Sequence, residues 1–258
     1  MTKEFKIHQL FLTNNDCYKR GKKQKVKGIM WHSTGANNPK LSRYIGPDDG
    51  ILGVNPNGNH WNQPKPDGRS VCVHAFIGKD KNGIVRTYQT LPWNYVGWHS
   101  GYGSKGSANT LGYIGFEICE DGLNNKKYFD EVYHQAIELS VFLCKKYNLT
   151  EKDIISHSEG HKKGIASNHD DVEYWFSKFD KTMNDIRKDV ALELKGDEIM
   201  TKLEKWQEEM GKKSIESLSK KKDDKGNLIV DSPSNWRKTL GEDTPQWLFW
   251  SIIDRITN

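Results

Sequence analysis

The run VKGIMWHST (residues 26–34) is apolar through Trp31 and then turns polar at His32, Ser33 and Thr34. A short apolar run of this kind reads as a buried strand, and the small polar residues after it open a loop. His32 is therefore expected at the rim of a sheet. Two further segments add strands. Val71 to Ile77 alternates, and the turn KDKNG lets IVRTYQTL fold back on it as a hairpin. LGYIGFEICE (111–120) places Ile114, Phe116 and Ile118 on one face and Tyr113, Gly115, Glu117 and Cys119 on the other. Glu117 is thus flanked on its own face by two small residues, which leaves room beside its carboxylate.

Helical patterning separates these strands. Phe129, Val132, Ala136, Ile137, Leu143 and Cys144 recur at helical spacing between Tyr128 and Tyr147, and NLT (148–150) stops the helix. Ile154 and Ile155 then lead into SHSEGHKKGIASNHDD, which reads as a polar, histidine-rich loop. EYWFSKFDKTMNDIRKDVALEL reads as one more amphipathic helix. Strands interleaved with helices predict an α/β domain, a mixed central sheet flanked by helices, over residues 1–194.

The charged stretch KGDE (195–198) is the predicted boundary. Residues 195–258 are expected to form a small all-α module, with one helical stripe from Leu203, Trp206 and Met210 continued by Ile215 and Leu218. A last helix carries Trp247, Trp250, Ile253 and Ile256. Four of the nine tryptophans fall here, as a small module needs large apolar groups to make a core.

The net charge of +5 is uneven: residues 1–195 carry +6 and the remainder −1. That excess suits an anionic polymer, whether cell wall or nucleic acid, but no nucleic-acid-binding motif accompanies it. Cys17, Cys72, Cys119 and Cys144 form no CxxC pair, so buried free thiols are expected rather than a disulfide framework or a thiolate zinc knuckle. No apolar stretch approaches a membrane span or a signal-peptide core. A chain made in the cytoplasm, without membrane insertion, is the expectation.

A hydrolytic zinc site needs three protein ligands and an open fourth position. His32 closes a strand and His157 opens a loop after another, so both are placed to reach one rim of the sheet. Spacing alone goes no further. The segments IMWHSTG, SVCVHAF, GWHSG, IGFEI and ISHSEGHKKGIASNHDDVEYWF, however, resemble in their order the type 2 N-acetylmuramoyl-L-alanine amidases, a group that includes phage endolysins and is similar to the peptidoglycan-recognition proteins. The resemblance covers residues 26 to about 178.

It implies a mixed sheet flanked by helices, a Zn2+ cofactor, and hydrolysis of the amide between N-acetylmuramic acid and L-alanine in bacterial peptidoglycan. His32 and His157 match the two zinc histidines and Asp171 the third ligand. The family's usual proline after that ligand is replaced by Val172, which leaves His169 as an alternative ligand. The family also places Lys or His two positions before the third ligand, to stabilise the oxyanion, and His169 fits that role. Glu117 matches the acidic residue that deprotonates the attacking water. The tyrosine that some members carry before the SVCVHAF histidine is Val73 here. His74, His99 and Trp98 match positions near the substrate groove, and Trp61 and Trp93 are further candidates to line it.

An endolysin released through a membrane lesion, with a wall-targeting C-terminal module, is the expected biology. A host autolysin or sporulation amidase is the near alternative. A non-catalytic peptidoglycan-binding protein is the distant one, since the full set of His32, His157, Asp171 and Glu117 is present.

Overall fold

The computed structural model describes residues 5–202, 205–223, 226–230 and 232–238. The chain divides into two compact units, Met1–Val190 and Ala191–Asn258. In the first unit the strands are β1 (Ile7–Gln9), β2 (Gly28–Asn37), β3 (Ala75–Lys79), β4 (Val85–Gln89), β5 (Tyr113–Glu120) and β6 (Ile154–Ser156). They form one mixed sheet in the order β1-β4-β3-β5-β2-β6. The β3–β4 hairpin is antiparallel, while β1–β4, β3–β5, β5–β2 and β2–β6 are parallel. The helices are α1 (Asp16–Arg20), α2 (Ala108–Leu111), α3 (Lys126–Tyr147), α4 (His157–Lys162), α5 (Glu173–Phe176) and α6 (Met183–Lys202).

Parallel strands at the middle of a sheet are covered on both faces, which is why β2 begins as an unbroken apolar run. Ile29, Met30 and Trp31 are all fully buried. Trp31 and Phe116 share the face covered by α3, their ring centroids 5.2 Å apart, and the Trp31 Nε1–H donates to Ser140 Oγ of α3 at 3.1 Å. Met30 and His32 point to the opposite face, together with Gly115 and Glu117, their register partners on β5. The helix that presses on the first face starts at Asn125, whose side chain accepts from the Tyr128 N–H. It ends at Asn148, which adopts a left-handed conformation (φ +53°). Asparagine is among the few residues that take this conformation readily, so NLT does stop the helix.

Three local expectations change. The histidine-rich segment after β6 does not stay a loop: its first residues form α4. Ser156 accepts from the Glu159 N–H while Glu159 accepts from the Ser156 N–H, a reciprocal capping box that fixes the helix start at His157. The long helix expected from Glu173 onward is broken. α5 passes into a 3-10 turn (Ser177–Phe179), Asp180 turns left-handed (φ +54°), and α6 restarts after a second reciprocal pair between Thr182 and Asp185. The strand expected from Val71 begins only at Ala75. Within the expected run, Cys72 instead forms an isolated bridge with Trp98: Cys72 N–H donates to Trp98 O at 3.0 Å and Trp98 N–H to Cys72 O at 2.8 Å.

KGDE lies inside α6. In the second unit, α7 (Lys205–Leu218) and α8 (Pro233–Lys238) accompany a small cluster of Ile215, Ile229 and Val230, with Leu218 and Trp236 packed on it. Met210 of the expected stripe is exposed. Leu203 and the helix expected around Trp247, Trp250, Ile253 and Ile256 lie outside the described residues. No described helix is long and apolar enough to cross a membrane.

Candidate active site

Sheet register delivers two of the polar residues to one place. On β2, His32 is the partner of Glu117 on β5, and Trp31 is the partner of Ser156 on β6, so the next residue, His157, emerges beside His32. Both lie toward the carboxyl ends of parallel strands, where open α/β sheets place their ligands. The chain then returns through the loop after α4 and sets Asp171 against both histidines.

His32 Nδ1 lies 3.1 Å from His157 Nδ1 and 3.1 Å from Asp171 Oδ2, and His157 Nδ1 lies 3.3 Å from the same oxygen. The three ligand atoms fall within 4.8 Å of one another. His32 is fully buried and His157 nearly so. Burial pushes the His32 imidazole below its ordinary pKa, toward the neutral form that binds metals. Burial alone would raise the Asp171 carboxyl, but its close contacts with the His157 and His32 imidazoles outweigh it and hold the group well below the usual carboxylate range.

The outward nitrogens are also engaged. His32 Nε2 is 2.9 Å from His99 Nδ1, and His157 Nε2 is 3.3 Å from Ser167 Oγ. If those nitrogens carry the ring protons, two imidazole lone pairs and a carboxylate converge with no proton between them. Two imidazoles and one carboxylate are a donor set suited to zinc, and a cation at their focus would satisfy all three groups.

A groove of about 290 Å³ opens over this cluster. Glu117, His99, Trp98, Trp61, His169, Ser167 and Arg69 line it alongside His157 and Asp171. Glu117 Oε2 is shielded from solvent and has no hydrogen-bond partner. Burial first, then the nearby Asp171 and Glu120 carboxylates, raise the Glu117 carboxyl well above its ordinary value. His169 is exposed at the groove edge, its Nδ1 3.2 Å from Ser167 Oγ. Its ring stands 4.9 Å from that of His157.

His74, expected against substrate, does not reach the groove. It is fully buried, its Nε2 2.8 Å from Tyr95 O, and its Nδ1 accepts from the Gly115 N–H at 3.1 Å. Burial lowers its pKa to about 4. It is a neutral strut whose ring lies 5.9 Å from that of His99. Trp61 lines the groove but is also core, packed against Phe76 at 5.0 Å, whereas Trp93 packs on Phe142. Val73 is buried in the same core.

Residues 22–172 match the family described as N-acetylmuramoyl-L-alanine amidase (Amidase_2). The chain belongs to this family. The family is one of peptidoglycan amidases, hydrolases that act on cell wall, and the matched span holds His32, Glu117, His157, His169 and Asp171. No curated protein sequence is similar enough to count as a match.

Among solved structures, the chain is similar to the hydrolase AmiA of Staphylococcus aureus in complex with its ligand. The identity is 17% and the TM-score 0.51, over 74% of this chain and 85% of that one. It is also similar to the PlyG catalytic domain, at 17% identity and a TM-score of 0.50 over 72% and 93%. A mutant endolysin from Bacillus subtilis aligns at 22% identity with a TM-score of 0.47, over 72% of this chain and 99% of that chain. At these identities the likeness is one of fold.

Sequence reasoning passed over three residues, two of which line the groove. Arg69 had no role assigned, and Ser167, an ordinary loop serine by sequence, ties His157 to His169 while sitting 3.2 Å from Ser100 O. A third, Asn109, is fully buried and accepts from the backbone N–H groups of His99 and Ser100 at 2.7 and 3.1 Å, clamping the GWHSG loop. Buried amides seldom announce themselves in a sequence.

The glycine facing the His99 ring is also required. A Cβ on Gly115 would lie 2.4 Å from His99 Nδ1. Gly115→Ala should therefore destabilise the domain by about 1–3 kcal/mol, the usual cost of overpacking. Urea denaturation measures this, and an unchanged midpoint would mean that the His99 ring is free to move.

Proposed function

We propose that the chain is a zinc-dependent N-acetylmuramoyl-L-alanine amidase that hydrolyses the amide joining the lactyl group of N-acetylmuramic acid to L-alanine in bacterial peptidoglycan. The observation that carries this reading is the convergence of His32, His157 and Asp171 beneath a groove in which Glu117 keeps one buried oxygen unpaired. His32, His157 and Asp171 would hold the zinc. When bound, zinc lowers the pKa of water and polarises a carbonyl oxygen.

The chain's own residues account for the proton movements. Glu117 takes a proton from the attacking water and passes it to the leaving alanine nitrogen. Its burial raises its pKa, the direction that suits a base that must later act as an acid. His169, steadied by Ser167, donates to the oxyanion that develops on the scissile carbonyl. Trp98 offers an apolar wall for a sugar ring.

Purified full-length protein incubated with cell walls should release new alanine amino termini. It should stop after treatment with a chelator and resume on adding zinc. Protein that retains no zinc and frees no such termini would overturn the proposal. The proposed cellular role is that of a phage or prophage endolysin, with residues 195–258 as a wall-targeting module. A chain ending at Leu194 that binds walls as tightly as the full chain would remove that role from the module.

A further inference from the structure

His99 lines the groove, yet its shortest side-chain contact is with His32, a residue of the metal cluster, at 2.9 Å between His99 Nδ1 and His32 Nε2. The far side of the His99 ring faces a backbone carbonyl, with Nε2 3.3 Å from Tyr113 O. A carbonyl oxygen only accepts, so the His99 proton belongs on Nε2 and its Nδ1 is left as an acceptor. That acceptor takes the Nε2–H of His32, and the His32 Nδ1 lone pair is then aimed at His157 and Asp171.

The ring is held from several sides. Gly115 leaves it space, Asn109 clamps its backbone, and the buried His74 stands behind it. His74 obeys the same logic, since its Nε2 faces Tyr95 O while its Nδ1 accepts from the Gly115 N–H.

We infer that His99 is a positioning residue for the metal site: the file Tyr113 carbonyl, His99, His32 sets the tautomer and orientation of His32, so that its Nδ1 is presented for zinc. Histidine ligands usually donate their second N–H to a carboxylate, a carbonyl or water. Here a second imidazole takes that place and passes the requirement to the backbone. The inference rests on the proposed zinc chemistry and assigns His99 to the metal rather than to the substrate.

Zinc affinity of the full chain, measured by competition with a chromophoric chelator, tests it without reference to turnover. His99→Ala should weaken zinc binding about 10–100-fold, the range found when an outer partner of a ligand is lost. His99→Asn, whose amide oxygen stands near the place of Nδ1, should recover most of that loss. In the wild-type protein, 15N NMR should show His99 protonated on Nε2 and unprotonated on Nδ1, with a coupling across the hydrogen bond to His32 Nε2.

Full zinc affinity in His99→Ala together with slowed wall hydrolysis would make His99 a substrate contact and overturn the inference. A His99 proton on Nδ1 would overturn it too, and this readout decides the matter if His99→Ala does not fold. Wild-type protein that binds no zinc would defeat the amidase mechanism instead, while the NMR measurement would still report on the His99–His32 pair.

Discussion

Glu117→Gln should fold, hold zinc as well as the wild type and hydrolyse cell walls about 10²–10⁴-fold more slowly, the contribution typical of a positioned general base. Glutamine keeps the shape of the side chain between Gly115 and Cys119 and removes only its capacity to take a proton. Stability should not fall with it. The Glu117 carboxyl is raised well above its ordinary value by burial and by its acidic neighbours, so its ionised form opposes folding, and the neutral amide avoids that cost. The sign follows from linkage: a carboxyl whose folded pKa is raised costs stability as pH climbs above its unfolded value. Turnover, zinc content and the urea midpoint are measured on the same preparation. Near-wild-type turnover would remove Glu117 from the proton path.

Asp171→Ala and His169→Ala should separate cleanly. Asp171 Oδ2 lies within 3.3 Å of both His32 and His157, so its removal takes away one of three ligands and leaves two imidazole nitrogens facing each other. Zinc affinity should drop by more than the roughly 10–100-fold that loss of an outer partner costs. His169 touches the cluster only through Ser167 and its ring contact with His157. His169→Ala should keep its zinc and lose about 10²–10³ in turnover, the scale of one oxyanion donor. Metal analysis beside a wall-hydrolysis assay reads both, and zinc loss in His169→Ala with retention in Asp171→Ala would exchange the two roles.

The parts of this fold written as local patterns were legible in the sequence. The apolar run ending at His32, the alternation around Glu117 and the helical spacing from Phe129 to Cys144 each point to the element found. The missed parts have physical causes. β1 is three residues long, too short for periodicity to register, and it is held by pairing with β4, distant in sequence. The capping box of Ser156 and Glu159 was readable but was outweighed by a polar composition that suggested a loop. The left-handed turn at Asp180 broke an otherwise continuous amphipathic pattern, where no glycine or proline warned of it. At the site, motif resemblance singled out His32, His157 and Asp171, which the fold brings together. The burial of His74 and the contact between His32 and His99 depend on how β5 and the GWHSG loop stack, which no one-dimensional spacing encodes.

The three residues proposed to hold zinc come from distant parts of the chain. His32 is 125 positions from His157 and 139 from Asp171. An unfolded chain would have to close loops of that length to bring even two of them together. High-affinity zinc capture should therefore follow assembly of β2, β5 and β6 rather than lead it, and bound zinc would weigh on the native side of the folding equilibrium by mass action. A nascent or damaged domain would lack the means to scavenge the metal, and wall-cutting chemistry would be confined to chains that have completed their sheet.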